Sequence, residues 1–236
     1  MGKTLLKDTL AHYYDVAHKE RFNKLFGHLA IGKARTPLAN TFYVLPLTFA
    51  GLKTDTVEEF KASLNVTLNK AMHNFKLRYQ LGFELEDDAL ATFQGLSDEL
   101  KEKRTKCNFF VCCTTVLIPF FFNTKLYVMI DEYDVSINKA LGNPFFVSAL
   151  QVPEGGNRNP LRRMENMYTE FFSKLKTACD ENVARCFITG VIPLALNEFT
   201  SGFNIATHIT NDLRFASLCG FTEADVQNGL ARLKLS

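Results

Sequence analysis

"LYVMIDEYD", Leu126–Asp134, decides the fold. Leu126–Ile130 is an unbroken apolar and aromatic run suited to a core, and it ends abruptly in Asp131, Glu132, Tyr133 and Asp134. The run is short and rich in residues that favour extended backbone, so it reads as a buried strand over Lys125–Ile130. A buried strand that ends in clustered negative charge needs a chemical reason.

Working outward, the flanks alternate between helical and extended patterns. Thr4 to about Ala17 has helical spacing, with Leu5, Leu6, Leu10, Tyr13 and Tyr14 on one stripe. Residues 27–40 hold Gly32, Pro37 and Asn40 and read as loop. Thr41–Ala50, "TFYVLPLTFA", is β-branched and aromatic and reads as a strand; Pro46 either weakens that reading or places the strand at a sheet edge. Thr56 and Glu59 have the spacing of a capping box, and a long helix is expected from there to about Tyr79. Asp87–Lys103 reads as a helix with a charged, solvated end, residues 143–163 as irregular, and Met164–Asp180 as helix. Ala184–Pro193, "ARCFITGVIP", is a second buried strand stopped by Gly190 and Pro193, and Thr222–Asp225 is a further helix start with Asp in the usual Glu position. Apolar strands alternating with long helices predict an α/β fold with a largely parallel sheet. Ligands in such sheets sit at the carboxyl ends of strands, which is where Asp131 and Glu132 fall.

A strand of bulky apolar residues followed by Asp-Glu is the Walker B pattern. Asp131 would hold Mg²⁺, usually through water, and Glu132 would orient or deprotonate the water that attacks a γ-phosphate. The other reading is a strand end whose acids cap the next helix. The expected companion is a phosphate loop, Gly-x-x-x-x-Gly-Lys-Ser/Thr, opening a helix. The chain begins "MGKTLL", so Gly2-Lys3-Thr4 matches the last third of that motif, and a helical stripe follows at once. Its amides would hold phosphate, Lys3 would neutralise charge, and the Thr4 hydroxyl would bind Mg²⁺. A third element fits: Thr189, ending "CFITGV", stands where many phosphate-loop ATPases place a polar residue that senses the γ-phosphate, or it simply fills a strand end.

Taken together, "LYVMIDEYDVSINKAL", "FITGVIPLALNEFTSGFNIATHIT" and "FASLCGFTEADV" resemble the AAA-ATPase-like domain of bacterial and fungal proteins, also found with Crinkler-type effectors. The tail of the loop, "YVLPLTFAGL", "IDEYD", "FITGV", "FTSGFN" and "CGFTEADV" occur in the family's order, over nearly the whole chain apart from residues 104–124. The resemblance implies a three-layer phosphate-loop NTPase fold with a mostly parallel central sheet, spanning residues 1–236, and it implies ATP and Mg²⁺ as cofactors with hydrolysis of ATP. By that match Gly2, Lys3 and Thr4 meet the nucleotide, Thr4 and Asp131 the metal, and Glu132 the water, while Asp134 matches the family's last acid without a firm role. Family members often carry a separate restriction-endonuclease-like domain, so a nuclease-like domain or protein partner outside this chain is implied.

Two departures from the family pattern stand out. The family's first strand and the start of its phosphate loop are missing, which predicts a truncated or mis-started product; the alternative is a catalytically silent interaction module on a degenerate ATPase fold. The second departure is "CNFFVCCTTVLIPFFFNT", residues 107–124, an uncharged apolar insert. A third class, a nuclease using Glu99-Leu100-Lys101 with Asp87 and Asp88, places its residues on a solvated helix where that chemistry expects a strand. Arg162 or Arg163 could act as a transacting arginine, or both are surface residues at a helix start.

Composition sets outer limits. The chain has 236 residues, 47% of them hydrophobic, enough for one sizeable core; net charge is +2, so no nucleic acid or other polyanion is implied as partner. The 22 phenylalanines and absence of tryptophan predict a Phe-rich core. The six cysteines form no CxxC pair and the histidines are scattered, which reads as reduced, buried thiols. Residues 1–10 lack the apolar core of a secretory signal, and residues 109–122 are too short to span a bilayer, so an intracellular, non-membrane protein, cytoplasmic or nuclear, is expected. Residues 107–124 are either a translated intron or a genuine buried strand or hairpin; sequencing the mature transcript finds those codons absent in the first case and present in the second.

Overall fold

The apolar run that ends in acids is a strand with a parallel neighbour on each side. The computed structural model describes residues 2–80, 125–142, 160–182, 184–191, 205–215 and 218–232. In chain order these form α1 (Lys3–Tyr14), a 3₁₀ segment (Val16–Arg21), α2 (Phe22–Phe26), α3 (Ala30–Lys33), β1 (Phe42–Thr48), α4 (Val57–Arg78), β2 (Lys125–Asp131), α5 (Val135–Leu141), α6 (Pro160–Asp180), β3 (Ala184–Ile188) and α7 (Glu223–Arg232). The sheet order is β1-β2-β3, so the strand carrying the acids is central. Thr48 of β1 registers with Asp131, and Ile188 of β3 with Ile130, so all three strands end together.

Side chains alternate across the sheet, and each face finds a helix layer. Leu45 and Leu47 of β1 and Leu126, Val128 and Ile130 of β2 join Phe60 and Leu68 of α4 and Tyr168, Phe171 and Phe172 of α6 in one apolar cluster. Aromatic rings knit it: Phe49 meets Phe171 edge-on at 5.6 Å, and Phe60 stacks on Tyr168 at 5.5 Å. The opposite face carries Phe42 and Tyr127, which pack on Tyr14 of α1 at centroid distances of 5.8 and 5.2 Å. Helices therefore cover both faces, an α/β architecture compatible with a phosphate-loop fold.

Contact between Tyr14 and the first residues of β1 and β2 fixes the direction of α1. The helix runs antiparallel to the strands, so its start lies beside their carboxyl ends. A helical rise of about 1.5 Å per residue and a strand rise of about 3.3 Å make Lys3–Tyr14 and Tyr127–Asp131 comparable in length.

Local signals produced most boundaries. Thr56 Oγ1 accepts from Glu59 N at 3.1 Å, which caps α4 at the expected residue, and its hydroxyl donates to Glu59 Oε2 at 3.3 Å. Thr222 and Asp225 form a full reciprocal capping box at α7, where Asp225 N donates to Thr222 Oγ1 at 3.2 Å and Thr222 N to Asp225 Oδ2 at 2.9 Å. Pro46 is exposed and sits on a border strand of the described sheet, as its missing N–H requires. Tyr79 closes that border: its hydroxyl accepts from Val44 N at 2.7 Å and donates to the buried Asp15 Oδ1 at 3.0 Å.

Four expectations need correction. Residues 27–40 are not all loop, because Ala30–Lys33 closes one helical turn. Pro160 is helical rather than irregular; as the first residue of α6 it needs no N–H partner. The second strand ends at Ile188, not Pro193; Thr189 N makes the last bond of the ladder, to Ile130 O at 2.8 Å, and the chain turns away after it. Leu5 is 72% exposed while Lys7 is buried, so Leu5 leaves the expected inward stripe of α1 and Lys7 joins it beside Leu6, Leu10, Tyr13 and Tyr14. The expected helix at 87–103, the Glu99-Leu100-Lys101 motif, residues 107–124 and "FTSGFN" lie outside the described residues, as do residues 143–159 and Pro193. No described helix is long and apolar enough to cross a membrane.

Phe172 is fully buried at the meeting of α6 with the sheet. Phe172→Ala is expected to destabilise the protein by about 3–5 kcal/mol in urea unfolding. Thr56→Ala, which removes only a helix cap, is expected to cost about 1 kcal/mol.

Candidate functional site

Gly2 begins the site. Its φ of 94° is left-handed, a conformation glycine adopts without strain, and it is the N-cap of α1 with no side-chain cap. The first amides of α1 therefore lack the usual side-chain acceptor and leave positive dipole at the end that faces the acids. Lys3 and Lys7 stand in the first two turns, against the helix dipole, which is an unfavourable place for cations unless anions lie opposite.

The anion opposite is Asp131, the last residue of β2 and 6% exposed. The Thr189 hydroxyl donates to its Oδ1 at 2.5 Å, and Lys7 Nζ lies 3.5 Å from its Oδ2. Burial raises the pKa of this carboxyl, but hydrogen bonds from Thr189 and Thr4 and the charge of Lys7 outweigh it, so it sits below the ordinary carboxylate value. Lys3 does not reach Asp131; its Nζ donates to the carbonyl oxygen of Gly190 at 2.8 Å. Of the residues singled out from sequence, the structure thus brings Lys3, Thr4, Asp131 and Thr189 to one place, from α1, β2 and the end of β3.

Glu132 is next in the chain and half-buried, with φ 54°. A non-glycine residue in this region is unusual, and such strain clusters at functional positions. The turn ends the strand immediately after Asp131 and separates the two acids: one enters the hydrogen-bonded cluster, and the other starts the turn into α5, its carbonyl accepting from Val135 N at 3.3 Å.

Asp134 acquires a position that spacing did not reveal. It is fully buried, and its Oδ2 accepts from Val191 N at 2.8 Å, tying the turn after β2 to the turn after β3. Gly190 is packed against that turn: a Cβ there would lie 2.4 Å from Tyr133 Cε1 and 2.6 Å from Asp134 Oδ1. Arg163 is on the surface with Glu58, at 3.5 Å, a pair of little energetic weight. Sequence reading missed Lys7, although its spacing of four from Lys3 puts both on one helical face.

The donor set suits a hard cation. The Asp131 carboxylate and the Thr4 hydroxyl offer oxygen ligands, and among the described residues no three His, Cys, Asp or Glu side chains converge into a protein-only cage. Mg²⁺ commonly rests on one or two carboxylates and takes its other ligands from water and phosphate.

A family model described as predicted AAA-ATPase matches residues 1–200. Searches of curated proteins and of solved structures find no match.

Two outcomes follow from the geometry. Because the Asp131 pKa is lowered on folding, its contribution to stability is present above the ordinary value of 3.8 and is lost as pH falls through the lower folded value. Chemical unfolding as a function of pH should therefore show an acid limb that Asp131→Asn flattens. Gly190→Ala should destabilise by about 1–3 kcal/mol, because the atoms in the way are a buried ring and a buried carboxylate.

Proposed function

The chain belongs to the AAA-ATPase-like family, and from that premise we propose that it is an ATP-binding module that hydrolyses ATP with Mg²⁺. One observation carries the reading: Lys3, Thr4, Asp131 and Thr189, drawn from three segments far apart in sequence, gather at the carboxyl end of a parallel sheet beside an uncapped helix start. That is the place where α/β sheets bind ligands and where helix amides favour phosphate.

In this reading the amides of Gly2, Lys3 and Thr4 and the Lys3 ammonium bind the phosphates. Lys3 leaves the Gly190 carbonyl to do so, exchanging a neutral acceptor for a charged one, and charge-assisted hydrogen bonds are the stronger kind. Asp131 and the Thr4 hydroxyl are the residues that would hold Mg²⁺, which when bound neutralises charge developing on the phosphate oxygens. Glu132 orients the attacking water and accepts its proton. Thr189 keeps the Asp131 carboxylate in place through Oδ1 and reports its position to the Gly190 turn.

Phosphoryl transfer of this type needs positioning and charge neutralisation more than covalent chemistry. The buried ties among Asp131, Thr189 and Asp134 provide the positioning, since each fixes a strand end relative to its neighbour.

Calorimetric titration of the folded chain with MgATP tests the reading. Binding with a Kd in roughly the micromolar to low-millimolar range is expected, lost in Lys3→Ala and in Asp131→Asn. Glu132→Gln is expected to bind MgATP as the unaltered chain does while phosphate release falls by about a hundredfold or more. A folded sample that gives no heat with MgATP would favour the interaction-module reading instead.

A further inference from the structure

Lys7 has no part in the motifs that pointed to this site, yet it is 8% exposed and its Nζ reaches the site's acid. Lysines are seldom this buried without a partner, because an ammonium removed from water has to be compensated. The partner here is split. Nζ lies 3.5 Å from Asp131 Oδ2 and 3.4 Å from Asp8 Oδ1. The two acids differ sharply in setting: the Asp131 side chain is 9% exposed and that of Asp8 is 54% exposed.

The two oxygens of Asp131 are also not equivalent. Oδ1 is engaged by the Thr189 hydroxyl at 2.5 Å, so Oδ2 is the oxygen turned toward Lys7. An ammonium carries donors and no acceptor, so it cannot share that oxygen with a metal ion without strong repulsion. A cation that binds this oxygen directly must therefore displace Lys7, and Asp8 already lies within reach of the displaced Nζ. The flexible four-carbon stem of lysine allows that move without shifting the helix.

We propose that Lys7 is a built-in counter-cation that neutralises Asp131 in the metal-free protein and passes to Asp8 when a divalent cation binds. The inference rests on the metal role given to Asp131 above. It makes Lys7 a positioning residue, one that acts through Asp131 rather than on the nucleotide. Its consequence is a deliberately weakened affinity for metal alone, so that cation and nucleotide phosphates together are needed to overcome the lysine.

Mn²⁺ binding to the nucleotide-free full chain, followed by electron paramagnetic resonance, tests this. Lys7→Met is expected to tighten Mn²⁺ binding by about tenfold, and Lys7→Arg, which retains the charge, to stay within about twofold of the unaltered chain. Asp8→Asn, which removes the receiving acid, is expected to weaken binding several-fold, and Asp131→Asn to abolish it. Lys7→Gln removes the charge while keeping a hydrogen-bond donor, and reads the same quantity where the methionine variant folds poorly. Equal or weaker Mn²⁺ affinity in folded Lys7→Met and Lys7→Gln overturns the exchange while leaving the nucleotide reading standing, provided the unaltered chain binds Mn²⁺. Absence of Mn²⁺ binding in the unaltered chain and in both Lys7 variants overturns the exchange and the metal role of Asp131 together.

Discussion

A carboxylate at the end of a buried strand is the constraint from which the arrangement of this protein follows. Asp131 is nearly inaccessible to water, and an ionised carboxylate in that position is unfavourable unless hydrogen-bond donors and a cation surround it. The donors come from Thr189 at the end of the neighbouring strand and Thr4 in the first turn of α1, and the cation from Lys7 one turn further on. Each partner pins a different element to the same point. The central strand, its parallel neighbour and the helix packed on them are thereby registered at the end of the sheet that carries Asp131.

The packing at the other end of the sheet makes that registration possible. Tyr14 meets Phe42 edge-on and Tyr127 at a tilt where β1 and β2 begin, so α1 is held at its far end by apolar contact and at its near end by charge. Burial of aromatic surface provides most of the stability and is indifferent to small shifts in register. The ionic end is sensitive to such shifts, because hydrogen bonds weaken steeply with distance and angle. Apolar packing brings the helix to the sheet, and the charged cluster sets where along the sheet it stops. The second tie, from Val191 N to Asp134, does the same for the turns that follow β2 and β3, with Gly190 small enough to let them meet.

Much of this was legible locally. The strand over Lys125–Ile130, the helix caps at Thr56 and Thr222 and the edge position implied by Pro46 are each encoded within a few residues, by propensity, cap chemistry or a missing donor. Their physics does not depend on the rest of the chain. The inward face of α1 was not legible in that way. The spacing put Leu5 on an inward stripe with Leu6, Leu10, Tyr13 and Tyr14, whereas Leu5 is exposed to solvent and Lys7 is buried in its stead. Hydrophobicity alone misjudges a helix face that meets a carboxylate, because pairing makes a buried lysine acceptable there. The one-turn helix Ala30–Lys33 also escaped notice, since a single turn leaves no periodicity to read.

By itself the sequence determined the alternation of strands and helices, the strand ends as a candidate site, and Lys3, Thr4, Asp131 and Thr189 as the residues to look for there. These depend on residue type and short spacing, which the chain carries in linear form. Tertiary structure alone decided which of them touch. It set Lys3 on the Gly190 carbonyl, gave Asp131 its lysine from outside the motif, placed Glu132 in a left-handed turn and buried Asp134 as a tie between two turns. The reason is that a buried charge takes whichever partners the packed elements bring within about 3–4 Å, and that neighbourhood exists only once segments more than a hundred residues apart have folded together.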